Sequence, residues 1–275
     1  MNWFNSDYYH ILYKNRDKKE AEFFINNLIK KLKIKKKSKI LDLACGVGRH
    51  SFYLNKKGMN VIGIDNSENN IKKAKKFENK FLKFKKKEMT EDYGQEFDFI
   101  FNLFTSFWYI NEKHNLNTFK SINNSLINHG FLVIDYLNVF KLKEQLVEKE
   151  TKKIGNIIFN IKRSFKDNFI VKKIKIKDNN EIFYFEERVM ELTKNDFQDY
   201  LKKFNFEILD VYGNYNLEKY HKNSERLIMI IKKSQSWRTG IRGGQWHTLP
   251  PNGSTICATG LNFSVRNGKR CSPML

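Results

Sequence analysis

The chain has 275 residues, of which 40% are hydrophobic, and a formal net charge of +21. No apolar run approaches the roughly 20 residues of a membrane span, and the N-terminus lacks the basic-then-apolar order of a signal peptide. We therefore expect a cytoplasmic protein with no membrane partner. Three cysteines without a secretory context predict neither a disulfide framework nor a metal site. The length suits one sizeable α/β domain or two small ones.

Lysine supplies most of the positive charge, and it occurs in short runs such as residues 35–37 and 85–87. The runs are spread over several predicted elements, which is typical of solvated faces. Asparagine and isoleucine are also abundant, so codon bias competes with binding as the origin of the charge. A nucleic-acid partner is therefore the less favoured interpretation.

An aromatic cluster over residues 7–17 precedes the first predictable core element and includes Tyr9 and His10. Glu20 then begins an amphipathic helix whose apolar face includes Phe24. One interpretation is that the aromatic side chains pack this helix onto the sheet, while the nearby Arg16 stays in water.

A glycine turn follows the first predicted strand. A short apolar strand, a turn with Gly46 and Gly48, and a helix that begins at Arg49 predict a nucleotide-binding unit. Glycine suits such a turn because it adopts positive φ and has no Cβ to block a ligand. Asp65 ends the next strand about twenty residues further on, where a ribose-binding carboxylate is expected.

The turn departs from a dinucleotide fingerprint, because its third glycine position holds Ser51. Asp42, at the end of the strand, would repel a pyrophosphate and attract a cofactor that carries an ammonium and a sulfonium group. Residues 41–48 and 61–67 resemble the first two motifs of the class I S-adenosylmethionine-dependent methyltransferases. The alternative is a glycine turn that binds no ligand.

The resemblance implies that S-adenosylmethionine is the cofactor. The residues that it places at the cofactor are Asp42, Ala44, Gly46, Gly48, Asp65, Asn66, Glu88, Met89 and Leu103. Glu88 stands where the family commonly has aspartate, so Met89, which can pack against a purine face, is the better-supported contact. The resemblance also suggests that the aromatic N-terminal segment folds over the cofactor as a lid, with Arg16 paired to the cofactor's carboxylate.

The loop after the fourth predicted strand should face the acceptor, because ligands of doubly wound sheets bind outside the carboxyl ends of the strands. The residues expected at the acceptor are Tyr9, Ser106, Phe107, Trp108, Tyr109 and Tyr136. The alternative is that Phe107 and Trp108 are core residues of the helix that follows.

The region of about residues 150–191 alternates apolar with polar side chains, which is typical of antiparallel strands with one wet face. It resembles the β insertion that covers the substrate in many small-molecule methyltransferases. Thr193 is expected to cap a helix through Phe204, with Asp196 as its capping-box acid. The predicted strands here and beyond are residues 157–161, 169–176, 182–190, 206–212 and 226–231.

The composition changes at Ser236, beyond which the chain has every proline and no acid. We expect residues 236–275 to be a disordered or foreign extension outside a methyltransferase domain of residues 1–235. Cys257 and Cys271, with only His247 nearby, make a poor metal-ligand set.

The expected fold is a doubly wound, mostly parallel seven-stranded sheet whose last strand is antiparallel, with an antiparallel β insertion. The expected function is methyl transfer from S-adenosylmethionine to a small-molecule acceptor. The alternatives are an RNA or protein methyltransferase that uses the basic surface, and a non-catalytic nucleotide-binding protein. Candidates for a general base are Tyr9, His10, His50 and Tyr109. The sequence leaves the acceptor, its methylated atom and the oligomeric state open.

Overall fold

The computed structural model describes residues 3–14, 18–107, 111–234, 239–242 and 245–248. The chain divides into two units, Met1–Ser234 and Gln235–Leu275. In the second unit, strands β12 and β13 pair as an antiparallel hairpin, Thr239–Arg242 with Gln245–Thr248. The expectation of a disordered or foreign tail falls mostly outside the described residues and stays a prediction.

The first unit contains helices on both sides of a large sheet, and a second sheet. The helices are α1 (Asp7–Leu12), α2 (Lys18–Leu32), α3 (Arg49–Lys56), α4 (Glu68–Ala74), α5 (Glu112–Ser125), α6 (Val139–Gln145) and α7 (Lys194–Lys202). The strands of the large sheet are β1 (Lys39–Leu43), β2 (Asn60–Asp65), β3 (Leu82–Lys86), β4 (Phe97–Asn102), β5 (Leu126–Leu137), β10 (Phe206–Tyr212) and β11 (Arg226–Lys233). The strands of the second sheet are β6 (Lys149–Ile154), β7 (Ile157–Lys166), β8 (Phe169–Asp178) and β9 (Glu181–Met190).

The large sheet has seven strands in the order β10-β11-β5-β4-β1-β2-β3. The five adjacent strands β5, β4, β1, β2 and β3 are parallel to one another. Strand β11 is antiparallel to both of its neighbours, β5 and β10. Both faces are covered, so successive residues of β1 enter different cores: Ile40 packs in one cluster with Phe24 of α2, and Leu41 packs in another with Phe119 of α5. The predicted mostly parallel fold with an antiparallel last strand is confirmed.

The second sheet is the predicted insertion, and its four strands are antiparallel in chain order. One face is apolar, because Phe159, Ile174 and Phe185 are buried there in a cluster with Trp3. The sequence predicted three of the strands and missed β6, whose residues are mostly charged and give no apolar alternation.

The aromatic N-terminal segment packs on the insertion sheet, and in this it differs from the expectation that it packs α2 onto the large sheet. Tyr8 lies 5.1 Å from Phe183 between ring centroids, and Trp3 lies 5.2 Å from Phe185. Ser6 caps α1 by accepting a hydrogen bond from the backbone N–H of Tyr9.

The predicted cap of α7 is confirmed. Thr193 accepts a hydrogen bond from the backbone N–H of Asp196, and the Asp196 carboxylate accepts one from the backbone N–H of Thr193. This reciprocal pair fixes where the chain leaves the insertion sheet and returns to the large sheet. Among the helices of the described residues, none is long and apolar enough to cross a membrane.

Candidate active site

The turn between β1 and α3 is built from positive-φ residues. Ala44, Gly46 and Gly48 have φ values of 61°, 56° and 78°. A Cβ on Gly48 would lie 2.6 Å from the ring of Phe84, so that position needs glycine for space as well as for its backbone. The turn brings the first backbone N–H groups of α3 to the carboxyl end of β1, which is the edge of the sheet where ligands bind.

Asp65, at the end of β2, is tied to this turn. Its Oδ2 accepts a hydrogen bond from the backbone N–H of Gly46 at 2.8 Å, and its Oδ1 accepts one from the backbone N–H of Ser67 at 2.9 Å. Burial raises the pKa of the Asp65 carboxyl above its ordinary value, although these backbone hydrogen bonds act in the opposite direction. The carboxylate is therefore held in one orientation.

A cavity of about 760 Å³ lies in front of the turn, and we call it the larger cavity. It contains eleven of the residues that the sequence singled out, which are Tyr9, His10, Ala44, Gly46, His50, Asp65, Asn66, Glu88, Met89, Leu103 and Ser106. Tyr9 lies in the wall of this cavity, and its role as part of a lid stays a prediction. That these residues contact a cofactor or an acceptor stays a prediction.

Two residues predicted at the cofactor lie behind the turn and do not line the cavity. Asp42 is fully buried and accepts a hydrogen bond from the Ser51 hydroxyl at 2.5 Å, and burial raises its pKa to about 6. The Asp42 side chain points from β1 towards the first turn of α3, where Ser51 lies. Gly48 packs against Phe84 and shapes the turn from behind.

Two of the residues predicted at the acceptor are core residues. Phe107 is fully buried and stacks on Phe119 of α5 at 5.1 Å, so it is a core residue as the alternative expected, although it lies in the loop before that helix. Tyr136 is also fully buried, and its hydroxyl donates to the backbone carbonyl of Met190 at 2.7 Å. Its phenol thus supports the junction between β5 and the insertion instead of a cavity wall. Arg16, Trp108 and Tyr109 lie outside the described residues.

The histidine candidates for a general base differ in their surroundings. His10 Nε2 lies 3.1 Å from Asn70 Oδ1, and burial lowers its pKa. Burial, together with the nearby positive charge of Arg49, holds the pKa of His50 well below its ordinary value. Both rings are therefore neutral near pH 7. Among the described residues, no carboxylate is hydrogen-bonded to either ring in the manner of a catalytic base, and their catalytic roles stay predictions.

A second cavity of about 400 Å³, the smaller cavity, lies between the N-terminal segment, the insertion sheet and the large sheet. It shares Tyr9, Tyr13, Phe104, Thr105 and Glu187 with the larger cavity. The other lining residues are Leu12, Leu137, Leu142, Lys152, Ile161, Arg163, Ile170, Lys172, Val189 and Arg226. The two cavities thus meet at a common wall.

Three of the four cations that line the smaller cavity are paired with carboxylates on the same face of the insertion sheet, and the fourth, Arg226, is paired with Asp135 of the large sheet. Lys172 Nζ lies 3.5 Å from Glu187 Oε2, and Arg163 Nη2 lies 2.7 Å from Glu150 Oε2. Lys152 Nζ lies 2.9 Å from the other oxygen of Glu150. The charged side chains of the smaller cavity therefore nearly cancel one another. Its other lining residues are mostly aliphatic or aromatic.

The common wall is held by a buried ion pair between β5 and β11. Phe104 and Thr105 have φ values of 68° and 52°, an unfavourable conformation for two successive residues with a Cβ. The Phe104 N–H donates to Asp135 Oδ2 at 2.8 Å, and Arg226 donates to both Asp135 Oδ1 and Thr105 Oγ1 at 2.7 Å. Asp135 is fully buried. The hydrogen bonds to Asp135 and from Arg226 therefore hold this loop in its unfavourable backbone conformation.

Sequence reasoning missed Arg49, which lines the larger cavity. Its guanidinium lies 3.1 Å from Glu20 and 5.0 Å from the centroid of the Phe104 ring. Its place directly after Gly48 was a usable signal, since a basic residue at the start of the helix is adjacent to the turn. The pairing of Asp135 with Arg226 had no local signal, because they are far apart in sequence.

Within the described part of the chain, no group of three or more histidine, cysteine or acidic side chains is placed to hold a metal ion. Cys45 is buried as a free thiol, and burial raises its pKa well above the ordinary value. The site is thus organised around one carboxylate, a glycine turn and two adjoining cavities.

A protein-family model described as a methyltransferase domain matches residues 34–207. The curated protein "Putative methyltransferase YqeM" of Bacillus subtilis is 37% identical over 114 residues, and the match covers 39% of this chain and 46% of that protein. The chain therefore spans about half the length of this curated relative.

Solved structures share the fold. An S-adenosylmethionine-dependent methyltransferase from Clostridium acetobutylicum superposes with a TM-score of 0.72 at 23% identity, over 83% of this chain and 96% of that one. The amino pentose methyltransferase CalS10 of Micromonospora echinaspora gives 0.61 at 15% identity, over 83% and 98%. The sugar N-methyltransferase KedS8 of a Streptoalloteichus species gives 0.62 at 15% identity, over 82% and 93%.

Proposed function

This chain belongs to the methyltransferase domain family, and we propose that it transfers the methyl group of S-adenosylmethionine to a small-molecule acceptor. The observation that carries the proposal is the pair of adjoining cavities. The larger cavity is lined by Ala44, Gly46 and Asp65 from the two motifs, and the smaller one is bounded by the insertion sheet and the N-terminal segment. A reaction between two bound molecules needs two sites with a common boundary.

The larger cavity fits S-adenosylmethionine. Asp65 is positioned for a ribose hydroxyl. Its Oδ1 accepts from both the Ser67 N–H and the Asn70 amide, whereas its Oδ2 accepts the Gly46 N–H and has a second lone pair for another donor. Met89 offers a flat apolar contact for the adenine. Arg49, with five N–H donors, is suited to the methionyl carboxylate, a role that the sequence had suggested for Arg16.

Bound S-adenosylmethionine supplies an electrophilic methyl group on a positively charged sulfur. The protein's contribution is to align the acceptor with that carbon and to exclude water. Phe104 and Thr105, fixed by Asp135, form a rigid part of the boundary that the methyl group crosses. The tyrosine side chains of the N-terminal segment, Tyr9 and Tyr13, cover the same boundary from the other side.

The acceptor is proposed to be a small molecule because the smaller cavity is of small-molecule size and is mostly apolar. Two structural relatives are described as methyltransferases of an amino pentose and of a sugar, which agrees with an acceptor of this size. The paired cations at Arg163 and Lys172 give the acceptor polar contacts without a strong net charge.

The test is methyl transfer from methyl-tritiated S-adenosylmethionine to a small-metabolite fraction and, separately, to bulk RNA. We expect label in a metabolite and its loss in Asp65→Ala, whereas Glu68→Ala, an exposed acid on the adjacent helix, keeps the activity. Label found only in RNA, concentrated on one nucleotide and persisting at about 200 mM salt, would show that the acceptor is RNA. Label in neither fraction would contradict transfer.

A further inference from the structure

The outer face of the insertion sheet is rich in lysine. Residues directly opposite each other in an antiparallel pair share a face, so the strand register assigns every second residue to the outside. The exposed lysines on that face are Lys149, Lys153, Lys162, Lys166, Lys173, Lys175 and Lys177. We call this set the lysine face. Lys152, Arg163 and Lys172 belong to the opposite face, which lines the smaller cavity.

The lysine face contains a row of like charges. Lys149 of β6 is opposite Lys162 of β7, which is opposite Lys173 of β8. Like charges directly opposite in a sheet are destabilising. At the end of the row Glu186 lies 4.0 Å from Lys173, and among the described residues no ion pair involves Lys149 or Lys162. Two of the three lysines in the row, Lys149 and Lys162, thus have no carboxylate beside them among the described residues.

The other face of the same strands shows the contrast. There each cation is paired with a carboxylate, at 2.7 to 3.5 Å. The same lysine-rich strands therefore carry paired cations on their inner face and a row of like charges on their outer face. An anionic ligand on the outer face would supply the counter-charge that Lys149 and Lys162 lack among the described residues.

An aromatic side chain lies among these lysines. Tyr184 of β9 is 71% exposed, which is high for a large ring, and Lys175 Nζ lies 5.8 Å from its centroid. A flat exposed ring flanked by cations can stack a base while the cations contact phosphates. Bases in a duplex are already stacked on each other, so this arrangement favours a single strand.

The spacing of the lysines suits an extended polyanion. Lys173, Lys175 and Lys177 alternate along β8, so their positions are about 7 Å apart at a strand rise of roughly 3.4 Å per residue. The strands themselves are about 4.8 Å apart. The face therefore presents a grid of positive charge about as wide as a single nucleic-acid strand.

We propose that the lysine face, together with Tyr184, binds single-stranded RNA. The proposal does not rest on the methyl-transfer function proposed above and uses the face of the insertion sheet opposite the smaller cavity. Tyr184, on the edge strand β9, also lines the larger cavity. The phosphates take the counter-charge positions beside Lys149, Lys162 and Lys173, and one base stacks on Tyr184.

The test is fluorescence anisotropy of a labelled oligouridine of about 16 nucleotides, titrated with the full chain at several salt concentrations. The variant Lys173→Gln/Lys175→Gln/Lys177→Gln is compared with Lys35→Gln/Lys36→Gln/Lys37→Gln. The second set has the same charge change and is also exposed, in the loop before β1. We expect the β8 variant to lose about tenfold or more in affinity, with a log–log salt slope shallower by about 2, and the matched control to change much less. Equal losses in the two variants would overturn the proposal.

A second comparison tests the identity of the ligand. Tyr184→Ala should lower oligouridine affinity by about tenfold and leave the affinity for inorganic polyphosphate, which has no bases, unchanged. An oligouridine affinity that is insensitive to Tyr184→Ala would overturn the RNA assignment. The β8 variant is also tested for binding to phosphatidylserine vesicles. If it no longer bound these vesicles but bound oligouridine as the parent does, the face would be a membrane-contact surface and the proposal would be wrong.

Discussion

The two cavities are built by different means. The wall of the larger cavity near the glycine turn is fixed by backbone: Asp65 is held by the N–H groups of Gly46 and Ser67. The wall of the smaller cavity is fixed by pairs of long side chains, such as Arg163 with Glu150 and Lys172 with Glu187. A backbone-built site tolerates little variation, whereas a side-chain-built site can change its ligand through substitutions on the insertion sheet.

The largest expected effect concerns the ion pair behind the common wall. Asp135→Ala leaves Arg226 partly buried without its carboxylate and releases the strained loop at Phe104. We expect a loss of about 3–5 kcal/mol in the free energy of unfolding, measured by urea denaturation. The matched control is Asp210→Ala, which breaks an exposed pair with Lys31 and should cost less than about 1 kcal/mol. Similar losses in both variants would contradict the role of the buried pair.

The next effect concerns Asp42, a buried carboxyl behind the larger cavity that is stabilised by a hydroxyl instead of a cation. Its pKa in the folded state is about 6, above the ordinary value of 3.8. The folded state therefore binds the proton more tightly than the unfolded state, and stability falls as pH rises from about 4 to about 6. Asp42→Asn removes this dependence.

The measurement is the free energy of unfolding of the parent and of Asp42→Asn at pH 4 and pH 7, without cofactor. At about 1.4 kcal/mol per pKa unit, the parent should lose roughly 3 kcal/mol relative to the variant between the two pH values. A difference between the two proteins that does not change with pH would contradict the burial of an ionisable Asp42.

A third effect separates the cavities by ligand. Asp65→Ala should weaken S-adenosylmethionine binding about ten- to a hundredfold, because hydrogen bonds to a carboxylate contribute about 1.5–3 kcal/mol. Arg163→Met, which alters only the smaller cavity, should leave this affinity within a factor of about 2. Titration calorimetry measures both. Equal losses of S-adenosylmethionine affinity in the two variants would contradict the assignment of the cofactor to the larger cavity alone.

The part of the larger cavity next to the glycine turn was predictable because its residues lie in two contiguous motifs. The turn from Ala44 to Gly48 and the acid at Asp65 are local patterns, and the strand order of the family fixes where they meet. The errors arose where direction mattered: Asp42 faces α3, and Tyr136 faces Met190, because each side chain follows its strand's alternation.

The smaller cavity was not predictable in the same way. Arg163 and Lys172 reach it from neighbouring strands whose register depends on the whole insertion, including β6, which has no apolar alternation. The pairing of Asp135 with Arg226 joins strands that are distant in sequence. Charged residues at alternate positions indicate a solvated face of a strand. Only the fold shows which face lines a cavity.

The smallest effect sharpens the contrast between the paired face of the insertion sheet and its lysine face. Lys162→Gln removes the middle charge of the row formed with Lys149 and Lys173. We expect the free energy of unfolding to rise by about 0.2–1 kcal/mol at low salt, with the gain reduced at high salt by screening. A loss of stability at low salt would show that the row is not repulsive.

The most direct test of the central claim is calorimetric titration of the parent chain with S-adenosylmethionine, S-adenosylhomocysteine and NAD in parallel. The geometry of the turn, with Asp65 at the ribose position, predicts that the first two bind at one site and that NAD binds more weakly or not at all. Tighter binding of NAD than of S-adenosylmethionine would contradict the assignment of the larger cavity.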